Sequence, residues 1–266
     1  MTITVSILIP VGIVLAADSR QMTESPSGQL RLDSDNVEKI IQLGPHLAAN
    51  VNGQRSFYTS STESPRVIGE ILSHASGKLP KDSTVREAAV YFHRVIATKF
   101  KKNLDLTLLK RAAVSFYIAG YNPKSDNGEL YRCDVPGNVT LERKTSDAGM
   151  VWNGTRDVIN RMILGYDPRL LKFLSEGKSN WPRDELENQL RRLQLHINFQ
   201  TMPMQDAVDL AVLMIRTTVE IQRFADGLVG EPGQLAVCGG MIEIGVITKR
   251  EGFHWLQHKQ LEVKGD

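Results

Sequence analysis

The chain has 266 residues, 41% hydrophobic and 23% charged, the composition of a globular protein with enough apolar material for a sizeable core. Its 32 basic and 30 acidic residues leave a net charge of +2, too little to steer the protein onto nucleic acid or an anionic membrane. The cysteines, Cys133 and Cys238, lie far apart and form no CxxC pair, so neither a disulfide framework nor a metal cluster is expected, and a reducing cytoplasm suits the composition.

The N-terminal run MTITVSILIPVGIVLAADS has two readings. As a secretory signal it predicts a periplasmic protein whose mature chain starts near Asp18. Against this, no Lys or Arg precedes Arg20, and Pro10 and Gly12 interrupt the run. It is also too short to span about 30 Å of hydrocarbon. As structure, Ile3 to Ile9 and Ile13 to Ala17 are β-branched strands around a tight hairpin. The polar stretch from Gln21 to Asn36 reads as a loop, followed by strands at Val37 to Leu43 and Leu47 to Val51 separated by Gly44 and Pro45.

Helical spacing comes next. Val67, Ile68, Ile71 and Leu72 share a face in a helix that starts near Pro65 and ends before Gly77. Thr84 and Glu87 form a capping box ahead of a stripe through Ala88, Phe92, Ile96 and Phe100. Strands return at Ala112 to Tyr121 and Glu129 to Val135, with a third near Thr145 to Trp152. A helix covers Arg156 to Leu164. The charged segment Leu170 to Leu195 reads as an inserted helical pair with Trp181-Pro182 at its junction. An amphipathic helix entered through Thr201 and Pro203 carries Val208, Ala211, Ile215 and Val219, and strands at Met241 to Thr248 and Phe253 to Leu256 end the chain. Strands, helices, strands, helices, strands argues two stacked sheets covered by helices, not a βαβ chain. The expectation is a single domain over 1–266 with a helical insertion at about 168–200.

Several segments in order are more specific. TITVSILIPVGIVLAADSR places Thr2 at the head of one strand and Asp18 at the end of the next. NVEKIIQLGPHLAANVNG sets Lys39 on a third strand and Gly53 at the end of a fourth. AAVSFYIAGYNP, GELYRCDVPG and CGGMIEIGVITKREGF follow. Together these resemble proteasome β subunits and their bacterial relatives, over most of the chain. The resemblance implies an α+β fold, the four-layer αββα sandwich of two antiparallel sheets of the N-terminal-nucleophile hydrolases. It also implies a ring-like or related homo-oligomer and a threonine-type peptidase acting on peptide or protein substrates. An ATPase partner stays open, and no cofactor, nucleic acid or membrane is implied.

The chemistry asks for these residue types. A threonine hydroxyl needs a nearby base, and a free α-amine with a pKa of about 7.7–8.0 can serve once Met1 is removed and Thr2 is N-terminal. An ammonium at Lys39 would depress that amine's pKa and hold the developing alkoxide, and a carboxylate at Asp18 would keep the lysine placed. Gly53 would supply an oxyanion-binding N–H. The resemblance assigns cleft walls to Gln21, Val37, Ile41, Val51 and Arg55. Where the family has a Ser in a Gly-Ser-Gly turn this chain has Asn153 before Gly154, and where it has an Asp-x-x-Ser set there are Leu235 and Cys238 before Gly239. Asn153 retains hydrogen-bonding capacity, whereas Leu235 has none. Asp226 is a candidate substitute. These departures leave a second reading, a catalytically silent structural subunit. Cys238 alone reads as a buried filler, and His254 and His258 as surface residues on a strand.

Overall fold

The computed structural model describes residues 2–24, 30–53, 56–57, 66–103, 114–176, 182–225, 227–228, 231–232 and 236–259. In chain order the elements are β1 (Ile3–Ile9), β2 (Gly12–Asp18), β3 (Gln21–Glu24), β4 (Leu30–Ser34), β5 (Ile40–Gly44), β6 (Leu47–Gly53), β7 (Ser56–Phe57) and β8 (Arg66–Val67). Helices α1 (Ile68–Ser76) and α2 (Val85–Asn103) lead to β9 (Val114–Tyr121), β10 (Gly128–Val135), β11 (Val139–Lys144) and β12 (Gly149–Gly154). Then come α3 (Asp157–Leu164), α4 (Arg169–Glu176), α5 (Arg183–Leu190), α6 (Met204–Phe224), β13 (Gly227–Leu228), β14 (Glu231–Pro232), β15 (Ile242–Thr248) and β16 (Gly252–Gln257). The protein is a mixed α+β structure dominated by two five-stranded antiparallel sheets, ordered β12-β1-β2-β15-β16 and β11-β10-β9-β6-β5.

Strands β1 and β2 are buried at every residue, as expected of near-continuous apolar runs covered on both faces. Successive side chains point to opposite faces, so each strand divides its residues between two cores. Ile3, Val5, Ile7 and Ile9 pack with Ile159 and Ile163 of α3 and Ala211 and Ile215 of α6. Leu8, Leu15 and Ala17 pack instead with Ala48, Tyr117 and Ala119 of the second sheet. That sheet's other face sends Ile41, Val51, Phe116 and Ile118 against Leu72 of α1 and Phe92 and Ile96 of α2. A side chain such as Phe92, with no exposed surface, contributes roughly 1.5–3 kcal/mol by its burial.

The capping box forms. The Thr84 backbone N–H donates to Glu87 Oε2 at 2.8 Å, and the Glu87 N–H to Thr84 Oγ1 at 3.2 Å. The Thr84 N–H foremost, and then the Thr84 hydroxyl donating to Oε2 at 2.9 Å, hold the Glu87 carboxyl below its usual range. The helical pair expected between Leu170 and Leu195 is α4 and α5, with Pro182 at the N-cap position of α5 and Trp181 outside the described residues. Among the described residues no helix is long and apolar enough to cross a membrane.

Two expectations are corrected. The polar stretch read as a loop contains the antiparallel pair β3 and β4. Leu30–Ser34 is mostly exposed, so its short Leu-Arg-Leu-Asp alternation marks no buried face and is lost in the polar stretch around it. The strand expected near Thr145 to Trp152 starts only at Gly149, as β12, and β11 before it was not anticipated. The Asp147 N–H bonds Lys144 O at 3.0 Å in a turn, after which the chain leaves β11 of one sheet for β12 of the other. Strand β5 also begins at Ile40, three residues later than Val37.

Candidate functional site

The space between the sheets changes character along its length. Near the β1–β2 turn it is apolar, at Leu8, Ile13 and Leu15. At the opposite end the inward residues are polar. Thr4 Oγ1 and the Asn52 side chain bridge the sheets, Asn52 Nδ2 donating to Thr4 at 2.8 Å and Thr4 Oγ1 to Asn52 Oδ1 at 3.1 Å. This polar end carries the residues singled out from the sequence.

Asp18, wholly buried at the end of β2, is the hub. Its Oδ1 accepts the Ile3 N–H at 2.9 Å and Lys39 Nζ at 2.6 Å. Oδ2 accepts the Gly239 N–H at 3.0 Å and the Arg20 N–H at 3.3 Å. Lys39, also wholly buried, donates to Arg20 O at 2.7 Å as well. One carboxylate oxygen therefore ties the ammonium to the backbone immediately after Thr2. Thr2 itself is 5% exposed, and its carbonyl accepts the Thr155 N–H at 2.7 Å.

The other predicted residues divide. Gly53 ends β6 beside Asn52, paired with Val114. Asn153 pairs with Thr4 across β12 and β1. Its Oδ1 accepts the Gly154 N–H at 2.8 Å and its Nδ2 donates to Ser115 Oγ at 3.4 Å; nearby, burial pushes the Tyr117 phenol up to about 12. Gln21 Nε2 donates to Asp33 at 2.9 Å, and the Val37 N–H donates to Ser19 O at 3.0 Å. Val51 is 1% exposed and Ile41 8% exposed in the core beneath α1 and α2. Arg55, Asp226 and Leu235 lie outside the described residues.

Three features escape sequence reasoning. Arg20 grips Asp35 with both ends of its guanidinium, at 2.6 and 2.9 Å, and reaches Ala236 O at 3.0 Å. The guanidinium holds the Asp35 carboxyl below its usual range. Thr155, one residue past the Asn153-Gly154 pair, accepts from the Cys238 thiol at 3.2 Å. Glu243, 1% exposed on β15, accepts the Lys39 backbone N–H at 3.3 Å. Only Thr155 had a local signal, its adjacency to Gly154. Among the described residues no group of three or more His, Cys, Asp or Glu is arranged to hold a metal ion.

Cys238 is buried, and burial, followed by the Asp18 charge, pushes its thiol up to about 11. Burial likewise raises the Cys133 thiol. Thiolates are the reactive species, so both cysteines should stay unmodified when the folded protein meets iodoacetamide at pH 8, and both should be labelled in denaturant. Intact mass reads the result; rapid labelling of native Cys238 would mark it as a reactive group.

Comparison of the sequence with models of known protein families, and with characterised proteins, finds no match.

Proposed function

We propose that this chain is a threonine-type N-terminal-nucleophile hydrolase of peptide or amide bonds, built on a four-layer αββα sandwich, with Thr2 as nucleophile after removal of Met1. The observation that carries the reading is the Lys39–Asp18 pair. Both side chains are fully buried, with the shared oxygen also bound to the Ile3 N–H. A buried ion pair is seldom the most stable filling for an interior, so its cost next to the residue after Thr2 supports a chemical role.

In this reading Thr2 Oγ attacks the substrate carbonyl carbon and its proton passes to the Thr2 α-amine. The oxyanion forms near the Gly53 N–H, and the Lys39 charge favours the developing alkoxide. The carbon–nitrogen bond breaks as the leaving amine takes the proton, leaving an ester on Thr2. Water, deprotonated by the same α-amine, then hydrolyses that ester. Asp18 keeps Lys39 placed, and the Thr155 N–H fixes the Thr2 carbonyl. The reading carries with it self-assembly into a ring-like or related homo-oligomer and a cytoplasmic location.

One observation favours the silent-subunit reading: the Cys238 thiol and Thr155 hydroxyl bond each other, a weak neutral pair where a carboxylate would better support the amine. The test begins with N-terminal sequencing, followed by incubation of the processed protein with a peptide β-lactone. One covalent adduct on Thr2, absent from Thr2→Ala, is the expected result. A chain that begins at Thr2 and takes no adduct is a silent subunit, and one that begins at Asp18 has lost the nucleophile.

A further inference from the structure

Behind Lys39 lies a second buried carboxylate. Glu243 sits on β15 opposite Ala17, one residue from the Ile242–Asp18 pair. Its Oε2 accepts the Lys39 backbone N–H at 3.3 Å. Its Oε1 lies 3.3 Å from His258 Nδ1, a nitrogen that is buried and has no formed hydrogen bond among the described residues. The distance is that of an ion pair while the alignment falls short of a hydrogen bond.

His258 follows β16. Its ring stacks on Trp255 at 4.1 Å and 22°, and Trp255 meets Phe253 edge-on at 5.1 Å. The imidazole is thus held in place with one nitrogen toward Glu243 and the other, Nε2, 3.6 Å from Glu38 Oε1. Its side chain is 29% exposed and borders an open groove of 720 Å³ between β5, α1 and β16, whose other ionisable residues are Glu38, Glu70 and His74. Protons reach His258 from solvent, whereas Glu243 is sealed. Burial raises the Glu243 carboxyl, with Lys39 N–H and His258 acting in the opposite direction and Glu38 adding to the rise.

We infer that Glu243 is a positioning residue for Lys39, and that the charge on His258 decides how firmly the Glu243 carboxylate holds the Lys39 backbone, so that the groove's protonation state is transmitted to the lysine from behind. When His258 is protonated it pairs with the Glu243 carboxylate at 3.3 Å, in competition with the Lys39 backbone N–H for the same anion. When His258 releases its proton to solvent, the carboxylate leans on the Lys39 N–H instead, and that charge-assisted bond tightens and holds the Lys39 backbone more firmly. The effect on turnover rests on the hydrolase reading; the coupling of His258 to Lys39 does not.

Glu243→Gln separates charge from packing, because the amide oxygen can still accept the Lys39 N–H. In the full chain, the Lys39 amide resonance, followed by nitrogen–proton NMR from pH 5 to 9, is expected to move with the His258 ring. That movement should vanish in Glu243→Gln and in His258→Gln, the latter a partly exposed site that tolerates substitution. Turnover of a fluorogenic peptide by Glu243→Gln is expected to fall about tenfold in kcat with KM unchanged. A Lys39 titration that survives His258→Gln, or wild-type kcat and pH profile in Glu243→Gln, overturns the inference. If the wild type itself neither turns over peptide nor takes an adduct at Thr2, the hydrolase reading fails, and the NMR titration still decides whether His258 and Glu243 act on Lys39.

Discussion

Lys39→Ala is expected to abolish turnover and lower the unfolding free energy by about 3 kcal/mol, near the low end of the 3–5 kcal/mol typical of a broken buried pair. The loss leaves the Asp18 charge in an interior with no exposed surface. The low end applies because three backbone N–H groups, from Ile3, Gly239 and Arg20, still solvate that carboxylate, and hydrogen bonds to an ionised acceptor are stronger than neutral ones. Thr2→Ala should also end turnover but cost only about 1 kcal/mol, the ordinary scale for a point change. From the sequence the two variants should behave nearly alike; the burial of Lys39 separates them. Urea denaturation of both proteins measures the difference. A Lys39→Ala protein within 1 kcal/mol of its parent would mean that the pair is far more hydrated than its burial implies.

The second large effect concerns backbone. Gly154 has φ +93°, and a Cβ there would overlap the Thr2 carbonyl oxygen, a backbone atom that cannot rotate away. Gly154→Ala is therefore expected to push the head of β1 off its partner and disturb the Thr155 N–H to Thr2 bond. Conformational strain alone costs about 1–3 kcal/mol. On the proposed mechanism, displacement of Thr2 by about 1 Å costs on the order of 10²-fold in kcat. Gly44→Ala is the control, since a Cβ there meets only Leu47 at the ordinary distance of 3.7 Å. Its stability and activity should match the parent. Equal behaviour of the two variants would refute a fixed Thr2 position.

How much of this was legible depends on range along the chain. The first hairpin, the capping box and the stripes of α2 and α6 follow from neighbours a few residues apart, where period and turn chemistry are decisive. Strands β3 and β4 are too short and too exposed for the Leu30-Arg31-Leu32-Asp33 alternation to stand out from the polar stretch that holds it. The crossing between β11 and β12 is a change of sheet, and the polar and Gly residues from Thr145 to Gly149 leave a turn and a strand end looking alike. Among the site residues, Thr2, Asp18, Lys39, Gly53 and Asn153 came from a resemblance spread over several segments, and they gather at one end of the two sheets. Arg20 with Asp35 had no comparable signal, and the pairing of Cys238 with Thr155 showed only once the chain was folded.

The sequence by itself determined the central strands and the long helices and their order, because apolar periodicity and helix caps act locally. It also held the candidate residues, but not their company. Gly239 reaches Asp18 across 221 positions and Glu243 reaches the Lys39 N–H across 204. Such pairings depend on how two sheets stack and register, and burial makes each remaining polar group find a partner there. The tertiary structure therefore decided which carboxylates face Lys39, and it distinguished Gly154 from Gly44. It also turned His258 from a surface residue into a partner of the interior, because the end of β16 brings its ring beside Glu243.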